Sequence, residues 1–511
     1  MRHLLAGLVL TCVCSLQAVH AAPFSFETVI DKARTLAREN HTPPPVIPRF
    51  MRDIGHEAYR NIRFDPARSL WRENDSRFQV QMISAGHVYV HPITVNLIEA
   101  QGTRRVPYQK GNYTFGNADL ERRVPADLGH AGFAISWPLL GGKEQVPFIS
   151  FAGASAYRAV GRSNIGGASA RGIAVNTGLM AGEEFPAFTE FWLERPAPDA
   201  HAMKFYALLD GRNLTGAYQF TAWPGEPTRV QVEAVLFPRA TIERLGIAPI
   251  TGMFLHGENT GRPTGAWRPE AHDSDGLLIN DGKSGEWLWR PLINPFTLQV
   301  DSFTTENVRG FGLLQRDTSF ASYQDVSAGF ERRASAWVET RGDWGKGRVM
   351  LVQLPTPDAT NDNIVAFWSP DERPQRDRPL RLSYQISFGS PEVTRSPLGR
   401  TVNTFVGDGT ASGDDAGTYR FHVDFAGGAI EKLRPRAAVT ANVSAGEDGQ
   451  VLEHFVEYNE ATKGWRLSIL ARPASGRPLT LRAFLREGEN TVSETWSYVL
   501  PARNDIQRTP R

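Results

Sequence analysis

The sequence predicts an all-β protein: one large β-sandwich followed by a small immunoglobulin-like β-sandwich. Three observations carry this. First, Phe78–Met82, Val230–Val235 and Leu380–Phe388 alternate apolar and polar residues, which is the period of a half-buried antiparallel strand. Second, such segments are separated by Gly, Pro, Asn and Asp, and no strand-helix-strand unit repeats, so a parallel α/β sheet is not expected. Third, the last stretch of roughly 110 residues holds short strand-like segments at the length and spacing of an immunoglobulin-like sandwich.

Residues 1–21 read as a secretory signal peptide. Arg2 supplies the positive start, residues 4–13 are a short apolar run, and Val19-His20-Ala21 places small residues before a cut at Ala22. The run is too short to span a bilayer. Both cysteines, Cys12 and Cys14, fall inside it, and neither follows the small residue that a lipoprotein signal needs. The exported chain therefore has no disulfide, thiolate metal site or cysteine nucleophile. Export without cysteines points to a bacterial periplasm.

One convincing helix follows. Phe26, Val29, Ile30, Ala33, Leu36 and Ala37 recur at helical spacing, Ser25 can cap it, and Thr42-Pro43-Pro44-Pro45 ends it. Its apolar face is expected to pack on a sheet. A second short helix is considered at residues 241–245. The large sandwich is placed at residues 22–388. GSPEVTRSPLGR at residues 389–400 reads as a linker, and residues 401–511 as the small sandwich. Its strands are expected within Tyr419–Phe425, Ala437–Val443, Trp465–Leu470, Leu479–Leu485 and Trp496–Leu500.

Charge narrows the function. Without Arg2 the chain holds as many basic as acidic side chains, from a total of 56 and 55. A nucleic-acid partner would favour a basic excess, so none is expected. A neutral surface on a chain with 12 tryptophans suits an uncharged ligand. No GxSxG elbow, P-loop, GxGxxG or HExxH is present. His87 and His91 sit four apart but lack a third ligand, so no metal site and no cofactor are expected.

What remains are acidic clusters beside aromatics. The stretch from Trp267 to Arg290, WRPEAHDSDGLLINDGKSGEWLWR, packs Glu270, His272, Asp273, Asp275, Asp281 and Glu286 between Trp267 and the pair Trp287 and Trp289. Carboxyls can do proton chemistry on sugars, and indole faces can stack on sugar rings. The same HDSDG also reads as a polar turn. In Asp358-Ala-Thr-Asn-Asp-Asn363, Asp362 precedes an apolar run ending at Trp368. It is either a carboxylic acid with a pKa raised by desolvation or a turn Asp held by backbone amides. Gly182-Glu-Glu-Phe-Pro186 reads as structural. Arg171 reads as a surface ion pair or a contact to a sugar hydroxyl.

Several stretches, in order, carry a resemblance. They are Ser169-Ala-Arg-Gly-Ile-Ala, Gly182-Glu-Glu-Phe-Pro with Phe-Trp-Leu-Glu-Arg-Pro196, and His272-Asp-Ser-Asp-Gly. Gly285-Glu-Trp-Leu-Trp-Arg-Pro-Leu292, Gly310-Phe-Gly-Leu-Leu-Gln-Arg316, Trp344-Gly-Lys-Gly347 and Asn361-Asp-Asn-Ile-Val365 follow. Thr462-Lys-Gly-Trp-Arg466 and Ser493-Glu-Thr-Trp-Ser-Tyr498 complete the set. Together they resemble the periplasmic glucan biosynthesis proteins of the OpgG/OpgD (MdoG/MdoD) family, nearly end to end. The simple signal peptide is more similar to the G branch.

The resemblance implies a galactose-mutarotase-like large sandwich and a role in making osmoregulated periplasmic glucans with a β-1,2-linked backbone. It also implies inverting β-1,2-glucanase chemistry, or transfer to another sugar, as some members perform. The family's general acid falls on Asp362 and its base on Asp273. In such sites protons reach a distant base through waters and hydroxyls, aided by a tyrosine. Here the aligned residue is Phe330, so the relay is interrupted or rerouted through Tyr323 or Ser322. The expected substrate-binding residues are Trp267, Trp287, Trp289, Trp368, Arg171, His272 and Asp275. The expected partners are β-1,2-glucan and the inner-membrane glucan synthase, and a homodimer through sandwich surfaces is compatible with them. A non-catalytic glucan-binding or assembly protein is the alternative.

Overall fold

A computed structural model describes residues 24–502 except 75, 395 and 410–416; the signal peptide assigned to residues 1–21 lies outside the described residues. The chain is nearly all β. A 10-stranded and a 15-stranded sheet form its body, and a 4-stranded sheet lies toward the C-terminus. The alternating segments become strands Gln79–Ser84, Thr228–Pro238 and Leu380–Gly389. The last two pair antiparallel over nine residues, from Thr228↔Phe388 to Leu236↔Leu380. Period-2 patterning fixes which face is buried, and so fixes the register.

The largest core fills the space between the two big sheets. Aromatic side chains interlock there: Phe133 from one sheet meets Phe191 from the other edge to face, with centroids 5.0 Å apart and planes at 84°. The predicted helix is Phe26–Arg38, and it buries Val29, Ile30 and Ala33. They pack on the far face of the larger sheet against Trp192, Tyr206 and Val235. The helix considered at residues 241–245 does not form. Ile242 is buried beneath an irregular segment, and Leu245 already begins strand Leu245–Gly252.

The C-terminal residues form two layers. Arg400–Asp408, Tyr419–Ala426, Gly464–Pro473 and Gly449–Asn459 make the 4-stranded sheet in that order. The other strands, Val439–Ala445, Leu479–Glu487 and Thr495–Leu500, do not form a separate sheet. They extend the 15-stranded sheet, because Thr495–Leu500 pairs in parallel with Trp287–Pro291 through Leu288↔Thr495 and Trp289↔Trp496. A second core closes around this seam, containing Trp289, Trp337, Phe421, Trp465 and Trp496.

Candidate active site

A cleft of about 490 Å³ opens where the loop at residues 358–362 meets residues 166–169 and 328–333. Both Asp273 and Asp362 line it. The strands explain why. Ser169, Thr251 and Val365 are neighbours across three antiparallel strands, with pairs Thr251↔Ser169 and Thr251↔Val365. Asp362 lies just before strand Ile364–Pro370, so its side chain reaches back over the two hydroxyls. Thr251 Oγ1 donates to Asp362 Oδ2 at 2.6 Å, Ser169 Oγ lies 3.2 Å from the same oxygen, and the two hydroxyls are 2.7 Å apart.

Asn363 locks this loop. Its amide donates to the carbonyls of Phe254 and Leu354 and accepts from Phe254 N–H. Asp362 itself is exposed, so the carboxyl that is desolvated is not the one suggested by the apolar run after it. That carboxyl is Asp273, which is 7 % exposed. Burial, and next the negative charge of Asp362, push the Asp273 pKa up to about 7 against the pull of the Met253 N–H, Arg333 and His272.

Both carboxyls hang from one short run of backbone. Thr251 holds Asp362 through its hydroxyl, and Met253 holds Asp273 through its N–H at 2.7 Å. Gly252 between them leaves room for both: a Cβ there would lie 2.8 Å from Ser274 Oγ and 3.2 Å from Asp273 Oδ1, so these side chains would have to shift.

His272 and Asp275 do not reach the cleft surface. His272 is 1 % exposed and packs behind Asp273. Its Nε2 lies 2.9 Å from Glu270 Oε2, and its Nδ1 lies 3.0 Å from Gln315 Oε1 and 3.1 Å from Asp275 Oδ1. Burial works to lower the His272 pKa, but the Glu270 bond and the charges of Asp275, Glu270 and Glu258 outweigh it and hold the ring at about 9. The ring is thus an imidazolium at neutral pH. Packing encloses His272; Asp275, 18% exposed, has its carboxylate held by the N–H groups of Arg316 and Asp317 and faces a separate small pocket beside Trp289 and Asn403, not the cleft.

The indoles divide in the same way. Trp267 is 59 % exposed, with the Arg268 guanidinium 4.6 Å from its ring centre, and Arg268 lines the cleft. Trp289 and Trp368 are buried. Arg316 covers Trp289 at 3.7 Å, and Trp344 packs on Trp368 at 5.1 Å. Trp287 stacks on Trp337 at 5.8 Å, on the seam with the C-terminal strands. None of these three offers a free face to the cleft. Arg171 is paired with Glu183 at 2.9 Å and does not line the cleft.

Phe330 does line the cleft. Tyr323 lies behind it, fully buried, with its hydroxyl donating to Asp317 O and accepting from Gln315 Nε2. Neither Tyr323 nor Ser322 lines the cleft, so the rerouting considered for a proton relay does not follow the cleft wall at that point. Arg158 and Arg333 also face the cleft and were not singled out from the sequence. Neither belongs to a motif; each arrives from a separate segment. Among the described residues no group of three or more His, Cys, Asp or Glu is arranged to hold a metal ion.

Known proteins bear on the whole chain. A curated protein from Dickeya dadantii (strain 3937), "Glucans biosynthesis protein G", is 40% identical over 497 residues, covering 96% of this chain and 95% of its own. One of the same name from Ralstonia nicotianae is 41% identical over 499 residues, covering 96% and 98%. Among solved structures, a galactose mutarotase related enzyme from Lactobacillus acidophilus aligns with 39% of this chain and 71% of its own, at 10% identity and a TM-score of 0.21. The family model "Periplasmic glucan biosynthesis protein, MdoG" matches residues 24–500. The chain belongs to this family of periplasmic glucan biosynthesis proteins.

Proposed function

We propose that this protein acts in glucan biosynthesis by cleaving or transferring β-1,2-linked glucan with inversion, Asp362 serving as general acid and Asp273 as general base. The observation that supports it most is the carboxyl pair itself. One is exposed in the cleft and the other is desolvated, and both are held by one short strand segment, through the Thr251 hydroxyl and the Met253 N–H. Inverting sites need roughly 6.5–9.5 Å between carboxyls, to admit water. Asp362 protonates the departing glycosidic oxygen. Asp273 takes a proton from the water, or from the acceptor hydroxyl, that attacks the anomeric carbon from the opposite side. A base with a pKa of about 7 suits proton abstraction near neutral pH. The coupling works in the right direction. A proton on Asp362 removes the charge that helps to hold Asp273 neutral, so the acid form of one favours the base form of the other.

Phe330 supports a second reading. Its ring lines the cleft at the position where the resemblance implies a tyrosine hydroxyl that carries a proton, and the lack of that hydroxyl favours slow hydrolysis, transfer, or glucan binding and assembly beside the membrane synthase. Incubation of the exported chain with linear β-1,2-glucan separates these. Shorter chains with new reducing ends indicate hydrolysis. Redistributed chains without new ends indicate transfer. Binding without either outcome leaves the assembly role. Asp362→Asn is expected to lose at least about a hundredfold in conversion while still binding glucan; full activity in that variant would remove Asp362 from the mechanism.

A further inference from the structure

The C-terminal strands reach the back of the cleft. Parallel pairing of Thr495–Leu500 with Trp287–Pro291 carries the preceding residue, Glu494, into the body of the molecule. Glu494 is wholly buried, and its partner Arg316 has a side chain only 5% exposed. The contact is a two-bond fork: Nη1 to Oε2 at 2.9 Å and Nη2 to Oε1 at 3.0 Å. Nη1 also donates to Thr401 O at 2.8 Å. A desolvated ion pair is weak support for stability, because apolar residues of similar volume often replace one without loss. What it does well is fix a geometry.

The geometry it fixes is that of the segment holding Asp273. The backbone N–H groups of Arg316 and Asp317 both donate to Asp275 Oδ2, the second at 2.8 Å. Asp275 Oδ1 faces His272 Nδ1 at 3.1 Å. The neighbouring Gln315 holds the same residue from another side, donating to His272 O at 3.0 Å and to Phe330 O at 3.0 Å. Thus Gln315 and Arg316 together hold the His272 ring, its carbonyl and its acidic partner. The next residue along is Asp273.

We propose that Glu494 and Arg316 are positioning residues: through Asp275 and His272 they hold the Asp273 carboxyl in the cleft, so the C-terminal strands are a working part of the site. The role for Asp273 rests on the function proposed above; the positional chain does not. The charged groups facing His272 are Glu270, Asp275 and Glu258, with His256 close by. Those facing Asp273 are Asp362, Arg333 and His272. If the Glu494–Arg316 fork is cut, Asp275 is less firmly held at the imidazolium. The Asp273 carboxylate then loses part of its nearby positive charge, and its titration midpoint rises.

The test uses the full exported chain with 13C-labelled aspartate carboxyls, the Asp273 signal being identified by its loss in Asp273→Asn. Glu494→Gln is compared with wild type. Because it leaves Arg316 buried and unpaired, the double variant Arg316→Met with Glu494→Leu is made as well; it removes both charges and keeps the Arg316 backbone N–H. Both are expected to move the Asp273 midpoint up by about half a pH unit or more. On glucan, kcat is expected to fall about tenfold with KM within about twofold. Arg316→Lys, which keeps the charge but not the fork, should fall between. A folded double variant with an unshifted Asp273 midpoint overturns the proposal. A wild-type protein that leaves glucan unchanged would instead remove the enzymatic reading, and the carboxyl titration would still decide the positional one.

Discussion

Asp273 is the residue where electrostatics and function meet. Its pKa of about 7 in the folded chain lies far above the ordinary 3.8 for an aspartate. The fold therefore favours the neutral form. That preference is fully present below pH 3.8 and is lost as pH rises through 7, where the buried carboxyl must ionise. Replacing it with Asn, which stays neutral, is expected to stabilise the protein at pH 8 by on the order of a few kcal/mol, with no gain near pH 3.5. Urea unfolding of Asp273→Asn and wild type at both pH values checks this. A variant less stable than wild type at pH 8 would mean that Asp273 is not desolvated as described. The same substitution removes the proposed base, so it should be more stable and inactive together. This opposition is common where a site is held in a state the fold does not favour.

At the scale of elements, the strand Leu245–Gly252 does most to assemble the cleft. Its end supplies the hydroxyl for Asp362, and the next residue supplies the N–H for Asp273. Gly252→Ala is expected to keep the sheet content in circular dichroism but to lose at least about tenfold in glucan conversion, since its Cβ would press on Ser274 and Asp273. Unchanged conversion would show that the spacing of the two carboxyls is not critical. None of this was legible from the chain order. His272-Asp273 and Asn361-Asp362-Asn363 stood out as motifs, but Ser169 and Thr251 meet Asp362 across 193 and 111 residues of sequence, and period-2 patterning does not say which strands become neighbours. The strands themselves, and the amphipathic helix, were readable because one-sided burial writes a period into the sequence. The indoles misled for a related reason. Trp287 and Trp289 share one face of a strand, as a sugar platform would require, yet that face lies under the C-terminal strands.

The whole molecule is tied together by that same pair. Leu278, Trp289, Leu314 and Trp337 of the body share a core with Phe421, Trp465 and Trp496 of the C-terminal strands. The larger sheet runs without a break through both. Two sandwiches joined only by a linker would melt separately, whereas a shared sheet and core couple their unfolding. The linker reading of residues 389–400 concerned composition and could not reveal that the last strand, Thr495–Leu500, returns to pair with Trp287–Pro291. Wild type is therefore expected to unfold in one calorimetric transition. Trp289→Ala should lower that transition as a unit, by about 3–5 kcal/mol, since it empties a buried indole site on the seam. If the variant instead splits into two transitions and only the smaller one moves, the halves are energetically independent and the Glu494–Arg316 chain has no rigid frame to act through. A single lowered transition, with glucan conversion falling in parallel, would mean that the C-terminal strands are part of the scaffold on which the two carboxyls are set.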